Sequence, residues 1–117
     1  MAVNIVSITT LNRIRLYSGQ PGTSEATLYT VAASTNAKVT EVVITNTSSA
    51  AATVSLSAVP SGGSAGAANR LLSGLSVDAN SVVIMDMSVF LDTSDFLSAV
   101  QTTSGAITLT ISGETYA

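Results

Sequence analysis

The sequence predicts an all-β protein, an antiparallel β-sandwich or jelly-roll of about seven or eight short strands. Aliphatic and hydroxyl side chains alternate with a period of two, and turn-forming residues recur between the alternating stretches. The clearest alternation is Ala106–Gly113, in which Ile107, Leu109 and Ile111 point to one side and the hydroxyl residues between them point to the other. One face of this strand is therefore expected in a core and the other at the surface.

The remaining strands follow from the same pattern. In chain order, the strand candidates are Val3–Thr9, Arg13–Tyr17, Ala26–Val31, Lys38–Asn46, Ala52–Val59, Ser81–Met87, Phe96–Gln101 and Ala106–Gly113. Lys38–Asn46 and Ser81–Met87 are almost continuously apolar, which indicates that both faces are covered, either in the middle of a sandwich or at a subunit contact. Ala67–Leu75 fits a short helix, a single turn or a short edge strand equally well.

Turn residues separate these stretches. The chain as a whole is predicted to form one domain. The longest irregular stretch, Pro60–Gly66, predicts an exposed loop, and Asp92–Asp95 predicts a tight turn. We find no linker and no internal repeat. Residues 1–12 are expected to form an N-terminal arm or edge strand, and residues 13–117 a single β-sandwich domain.

Composition narrows the possible chemistry. The 117 residues include no cysteine and no histidine, which removes disulfides, thiolate metal sites and the most common general base. Charged residues make up 9% of the chain, against about 25% in typical domains. A surface of hydroxyl groups with so few ions is expected where a chain packs against its own copies or another protein.

Charge is distributed unevenly along the chain. Residues 1–40 carry three cations and one carboxylate, whereas residues 71–117 carry five carboxylates and no cation. An acidic chain without a basic stripe is not expected to hold a phosphate backbone, so nucleic acid is not an expected partner. The N-terminus lacks a positively charged signal-peptide region, and no apolar run is long enough to predict a membrane span.

The candidate catalytic and metal sites all have simpler interpretations. Asp92 and Asp95 are the nearest carboxylate pair, but Asp-x-x-Asp between apolar runs is typical of a turn in which the carboxylates accept backbone N–H bonds. Asp78 or Asp86 could join them around Ca²⁺, although no loop has regular ligand spacing. We therefore expect no catalytic residue, metal or cofactor. Asn46 begins a glycosylation pattern that a turn asparagine with positive φ would also explain.

Aromatic residues make up 4% of the chain. Phe90 and Phe96 are expected in the core.

The candidate partner-binding residues lie near the N-terminus. Arg13 and Arg15 alternate on one side of a strand whose neighbours are apolar. This pattern fits an edge strand that is protected by charges, and it also fits an arm that docks on an acidic partner. The residues assigned to partner binding are Val3, Ile5, Ile8, Leu11, Arg13 and Arg15.

Six stretches between Tyr17 and Gly113 carry a resemblance to known proteins. They are Leu28–Val31, Ala37 with Val39, Val42–Thr47, Thr53–Leu56, Leu91 with Asp95–Phe96, and Thr108–Gly113. In these strand patterns the chain resembles a family of small virion proteins of tailed bacteriophages, which includes capsid decoration and head-fibre or tail-fibre-like β-sandwiches. It departs from the family at Ala32–Ala33, where members often have proline, and at Ser94, where they often have glycine.

The resemblance implies a structural role on a virus particle without enzymatic activity. The expected function is capsid decoration: a homotrimer made in the host cytoplasm that binds the major capsid protein on the outer capsid surface and stabilises the shell. Nucleic acid and membranes are not expected partners. The alternative is a tail fibre or receptor-binding adhesin that recognises the host surface through Pro60–Gly66 and Asp92–Asp95.

Overall fold

Eight antiparallel strands build the part of the chain that the structure describes. The structure is a computed structural model in which residues 10–117 are described. The strands are β1 (Leu11–Gly19), β2 (Ala26–Thr30), β3 (Asn36–Asn46), β4 (Ala52–Val59), β5 (Arg70–Val77), β6 (Val82–Leu91), β7 (Phe96–Gln101) and β8 (Ile107–Tyr116). The strand candidate Val3–Thr9 lies outside the described residues.

The strand pairing is that of one long hairpin folded double. β1 pairs with β8, β2 with β7, β3 with β6 and β4 with β5, all antiparallel. Folding over adds the pairs β3–β8 and β4–β7. Two four-stranded sheets result: sheet I in the order β1-β8-β3-β6, and sheet II in the order β2-β7-β4-β5. This is an eight-stranded jelly-roll, which confirms the predicted fold class.

The core lies between the two sheets and is almost entirely aliphatic. Ile107, Leu109 and Ile111 of β8 are fully buried, as their alternation predicts. They meet buried side chains of sheet II such as Leu56 and Leu97. Burying one such side chain stabilises the fold by about 1.5–3 kcal/mol, so the core is the main source of stability.

The ambiguous stretch Ala67–Leu75 contains a single 3₁₀ turn followed by a strand. The turn spans Ala67–Asn69, and the Asn69 side-chain oxygen accepts a hydrogen bond from the Gly66 N–H at 3.0 Å. β5 begins at the next residue. Within residues 10–117, no helix has the length and apolar character needed to cross a membrane.

The strand predicted at Ser81–Met87 is β6, which extends further than predicted and lies at an edge of its sheet instead of in the middle. β6 continues to Leu91 and is the outermost strand of sheet I, where β3 is its one neighbour among the strands of residues 10–117. Residues on one of its faces are exposed, and those on the other are half-buried, apart from the buried Leu91 at its end. The expectation that β6 is covered on both faces within the sandwich is therefore wrong, because a continuous apolar run does not reveal the position of a strand in its sheet.

A buried glutamine joins two loops at one end of the core. The Gln101 side chain is 1% exposed. Its amide nitrogen donates to the carbonyl oxygens of Pro21 and Ile107, and its oxygen accepts from the Ile107 N–H at 2.8 Å. All three backbone groups would otherwise need water, which the core does not supply. Gln101 therefore fixes the β1–β2 connection against the β7–β8 turn.

Replacing Gln101 with leucine should destabilise the protein by about 2–4 kcal/mol, because three buried backbone groups lose their partners. Urea denaturation gives the change in the free energy of unfolding. Gln20→Leu is the matched control, since the exposed Gln20 donates to Gly105 at 3.0 Å and water can replace that bond. Equal effects of the two variants would contradict the assigned role of Gln101.

Candidate interaction surface

The exposed large hydrophobic side chains of the described residues cluster on the two edge strands of sheet I. Leu11 and Ile14 lie on β1, and Val82, Ile84 and Phe90 lie on β6. Their exposed fractions range from 39% for Ile14 to 64% for Phe90. The two strands lie at opposite edges of sheet I, so each is a separate candidate surface for contacts with other proteins. We refer to β1 and β6 together as the sheet I edges.

Phe90 corrects a prediction. It was expected in the core, yet it occupies an outward position of β6 opposite Lys38 of β3. The Lys38 ammonium lies 5.4 Å from the centroid of its ring, a cation–π distance. Phe90 is exposed because no second sheet covers the outward side of β6, and because an edge strand has a neighbouring strand on one side alone.

A row of charged residues crosses the outer face of sheet I from β1 towards β6. Arg13 is paired in register with Glu114 of β8, which is paired with Lys38 of β3. The Arg13 Nε atom lies 3.5 Å from a Glu114 carboxylate oxygen. The Arg13 side chain is 85% exposed, so this ion pair contributes little stability.

Arg15 is the cation of the described chain that has no such partner. Arg13 pairs with Glu114, Lys38 lies over Phe90 and Arg70 pairs with Glu25, but Arg15 makes no ion pair within residues 10–117. It is exposed and lines a shallow depression of about 560 Å³ on the outer face of sheet I. Thr40 and Ser112 line the same depression.

The candidate partner-binding residues that the structure describes share one side of β1. Leu11, Arg13 and Arg15 pair with outward-facing residues of β8 and are all exposed. β1 is the edge strand that one interpretation predicts, and docking of this segment on a partner stays a prediction. Val3, Ile5 and Ile8 lie outside the described residues. The predicted arm 1–12 overlaps β1, which begins at Leu11.

Sequence reasoning missed β6 as part of this surface. Val82, Ile84 and Phe90 were not among the candidate residues. The continuous apolar run of Ser81–Met87 was the available signal, because one of its two interpretations was a subunit contact.

The acidic turn has the geometry that its sequence pattern predicts. One Asp95 carboxylate oxygen accepts the Asp92 N–H at 2.9 Å, and the other accepts the Ser61 N–H at 2.9 Å. Ser94 between them has a φ of 70°, as a tight turn allows. The Asp95 carboxylate therefore binds backbone groups, and it also brings the loop Pro60–Gly66 against the turn Asp92–Asp95.

The charge of Asp92 acts on a different group, the Tyr116 hydroxyl. Partial burial, followed by the negative charges of Asp92 and Glu114, raises the pKa of the Tyr116 hydroxyl above its ordinary value. Among residues 10–117, no three acidic, histidine or cysteine side chains come close enough to share a metal ion, and Asp78 and Asp86 form no such group with the turn.

Asn46 is buried and has a structural role in the β3–β4 turn. The positive φ that the sequence analysis offered as the explanation of its glycosylation pattern is wrong. The Asn46 side chain is 1% exposed, and the residue does not have the positive φ that was expected. Its amide nitrogen donates to the carbonyls of Ala50 at 2.8 Å and Val77 at 3.0 Å, and its oxygen accepts the Ser48 N–H at 2.9 Å. The side chain holds the β3–β4 turn and is not accessible to a glycosylating enzyme.

Sheet II differs from sheet I because its charged groups bind one another. The Arg70 guanidinium lies 2.8 Å from a Glu25 carboxylate oxygen and donates to the Ser57 hydroxyl at 2.9 Å. The Ser98 hydroxyl donates to the other Glu25 oxygen at 2.8 Å. These four residues connect the segment before β2 with β7, β4 and β5, and they leave this face polar and internally satisfied.

Comparison with known proteins shows weak similarity to two viral structures. No protein-family model matches the chain, and no curated protein matches it. The chain is similar to part of a chain in the structure of infectious bursal disease virus Gx strain, with 12% identity and a TM-score of 0.48. For the Gt strain the identity is 13% and the TM-score 0.46. In both cases the match covers 92% of this chain and 31% of the viral chain.

This chain therefore spans about a third of the length of those viral chains.

Asp95→Ala should destabilise the protein by about 1–2 kcal/mol, because two backbone N–H groups lose their acceptor. Asp92→Ala should change stability by less than about 0.5 kcal/mol, since the exposed Asp92 carboxylate accepts no hydrogen bond from the described chain. Thermal unfolding of both variants measures the difference. A carboxylate pair that works as a unit would instead give similar effects at both positions.

Proposed function

We propose that the protein is a non-enzymatic structural protein of a virus particle that decorates the outer surface of the capsid. The observation that supports this proposal best is the concentration of exposed large hydrophobic residues on the sheet I edges. A jelly-roll that exposes apolar side chains along both edges of one sheet is suited to extended protein–protein contacts.

The fold and the sequence resemblance support the same proposal. Eight-stranded jelly-rolls occur in viral capsid proteins and in lectin domains. One fold hosts many functions, so the assignment depends on the surface and not on the topology alone. The strand patterns between Tyr17 and Gly113 resemble those of small phage virion proteins. The particle that we propose is therefore that of a tailed bacteriophage.

Attachment to the shell would use the segment before β1 together with the outward side of β1. Val3, Ile5 and Ile8 supply apolar side chains, and Leu11, Arg13 and Arg15 extend the contact with one exposed aliphatic group and two cations. The acceptor would be an acidic, partly apolar region of the major capsid protein. Several copies bound together, as in a trimer, would turn a weak single contact into strong attachment.

Deleting residues 2–9 should reduce binding to purified particles of the encoding virus by more than about tenfold, a loss of at least about 1.4 kcal/mol per attachment. β1 stays intact in this variant, so circular dichroism and the melting temperature should match those of the full chain. Co-sedimentation of the labelled protein with particles that lack it measures the binding.

A variant of full length in which Val3, Ile5 and Ile8 are serine is the matched control for chain length. Loss of binding in both variants assigns the contact to the apolar side chains. Normal coating of particles by the deletion variant would contradict the proposed attachment.

One observation favours an adhesin on the tail as the second candidate. The bond between Ser61 N–H and Asp95 joins Pro60–Gly66 and Asp92–Asp95 into one surface at an end of the sandwich. Loops gathered at one end of a β-sandwich form the binding sites of many recognition domains. This candidate requires the purified protein to bind host cells and requires replacement of Pro60–Gly66 by a short glycine linker to abolish that binding.

A further inference from the structure

We propose that the protein assembles by pairing β6 of one copy with β1 of the next, which joins sheet I of neighbouring copies into one continuous sheet. The occupant of the β6 edge is thus a second copy of this chain. The interface follows from the two edges themselves and does not require the virion role proposed above, but it uses Leu11 and Arg15 of the strand to which shell attachment is also assigned.

The edges of sheet I and sheet II differ in how they are protected. The sheet II edges are the more strongly blunted: β2 has five residues, and the β5 ladder carries two register shifts and Gly74 at a φ of 60°, whereas the ladders of β1 and β6 carry one register shift each. The sheet I edges are longer, with nine residues in β1 and ten in β6. β6 contains no proline, lysine or arginine, the residues that usually keep an edge strand from pairing.

Charge selects which edges can meet. Two β6 strands paired around a two-fold axis would bring Asp86 near Asp86 of the other copy, and two β1 strands would bring the arginines together. β6 beside β1 places a carboxylate against cations. Asp86 and Arg15 are both exposed, and neither makes an ion pair within residues 10–117.

Strand direction allows this pairing without rotation of the copies. Neighbouring strands of sheet I are all antiparallel, so β1 and β6 run in opposite directions. A second copy placed beside the first in the same orientation therefore brings its β1 antiparallel to β6. The unpaired backbone groups of both edges then form the hydrogen bonds of a sheet interior.

One register satisfies both the charged and the apolar positions. Leu11 and Arg15 are four residues apart on β1, and Asp86 and Phe90 are four residues apart on β6. Antiparallel pairing that sets Arg15 opposite Asp86 therefore also brings Leu11 alongside the part of β6 that carries Phe90, beyond the extra residue that β6 has between Asp86 and Val89. Those two apolar side chains are 55% and 64% exposed in the isolated chain.

The same pairing brings Ile14 near Met87 on the inner side. Ile14 is 39% exposed and Met87 is half-buried. The interface thus covers apolar side chains on both faces of the joined sheet.

This contact uses two different surfaces, so each copy keeps one free edge of each kind after the first contact. Such an assembly grows beyond a dimer and either closes into a ring or extends into a filament. A homotrimer, the state that the sequence resemblance implies, is one closed form of it.

The test is sedimentation velocity of the full chain over a concentration series, with charge-reversal variants. The wild type should form species larger than a dimer. Asp86→Arg and Arg15→Asp should each weaken association by at least about tenfold, because each sets like charges opposite one another. The double variant that carries both changes should recover association. Asp78→Arg, at an exposed acid in the loop before β6, should leave association unchanged.

A wild type that stays monomeric or stops at a dimer would overturn the proposal. Failure of the double variant to recover association would also overturn it, provided that circular dichroism shows the single variants to be folded.

A second measurement covers the case in which a charge variant fails to fold. The chain contains no cysteine, so single cysteines can be introduced without competing thiols. A mixture of Arg15→Cys and Asp86→Cys proteins should form an intermolecular disulfide under mild oxidation, since facing strand residues lie within disulfide range. A mixture of Arg15→Cys and Val82→Cys proteins should not, because Val82 lies four residues from Asp86 at the start of β6. Equal cross-linking in the two mixtures, or none in either, would contradict the register.

Discussion

The period-two alternation of side chains on paired strands is the constraint on which the rest of the structure depends. Pairing each strand of a folded hairpin with its counterpart commits one face of every strand to the space between the sheets. The aliphatic residues of β8 fill that space, and the hydroxyl residues between them face outward. Two of the buried polar side chains, Gln101 and Asn46, each satisfy several backbone groups at the ends of the core.

Sheet I and sheet II solve the problem of their outer surfaces differently. Sheet II links Glu25, Ser98, Ser57 and Arg70 across its strands and is bounded by blunted edges. Sheet I has a looser row of charges and two long edges that carry the exposed hydrophobic residues. An isolated domain gains nothing from such edges, and exposed strands of this length are prone to pair with other chains. The asymmetry between the sheets is therefore the physical reason for assigning assembly to sheet I.

Local sequence patterns predicted most of the strands. They did not predict the order of the strands in each sheet or the contacts between loops, because these depend on residues far apart in the chain. β4 and β7 begin and end at the residues that the alternation predicts. The place of β6 at an edge was not predictable, because sheet order depends on pairings between residues far apart in the chain. The expectation that Phe90 is buried failed for the same reason. Asp95 was predictable as a turn residue from its spacing, but its bond to Ser61 joins loops 34 residues apart and left no signal in the sequence.

Amide hydrogen exchange of the wild type and the Asp86→Arg variant tests most directly whether the sheet I edges are the working surface. At a concentration where the wild type is assembled, the amides of β1 and β6 should exchange more slowly in the wild type than in the variant. The edge strands of sheet II, β2 and β5, should exchange at the same rate in both proteins. Equal rates in β1 and β6, or protection confined to β2 and β5, would contradict the account.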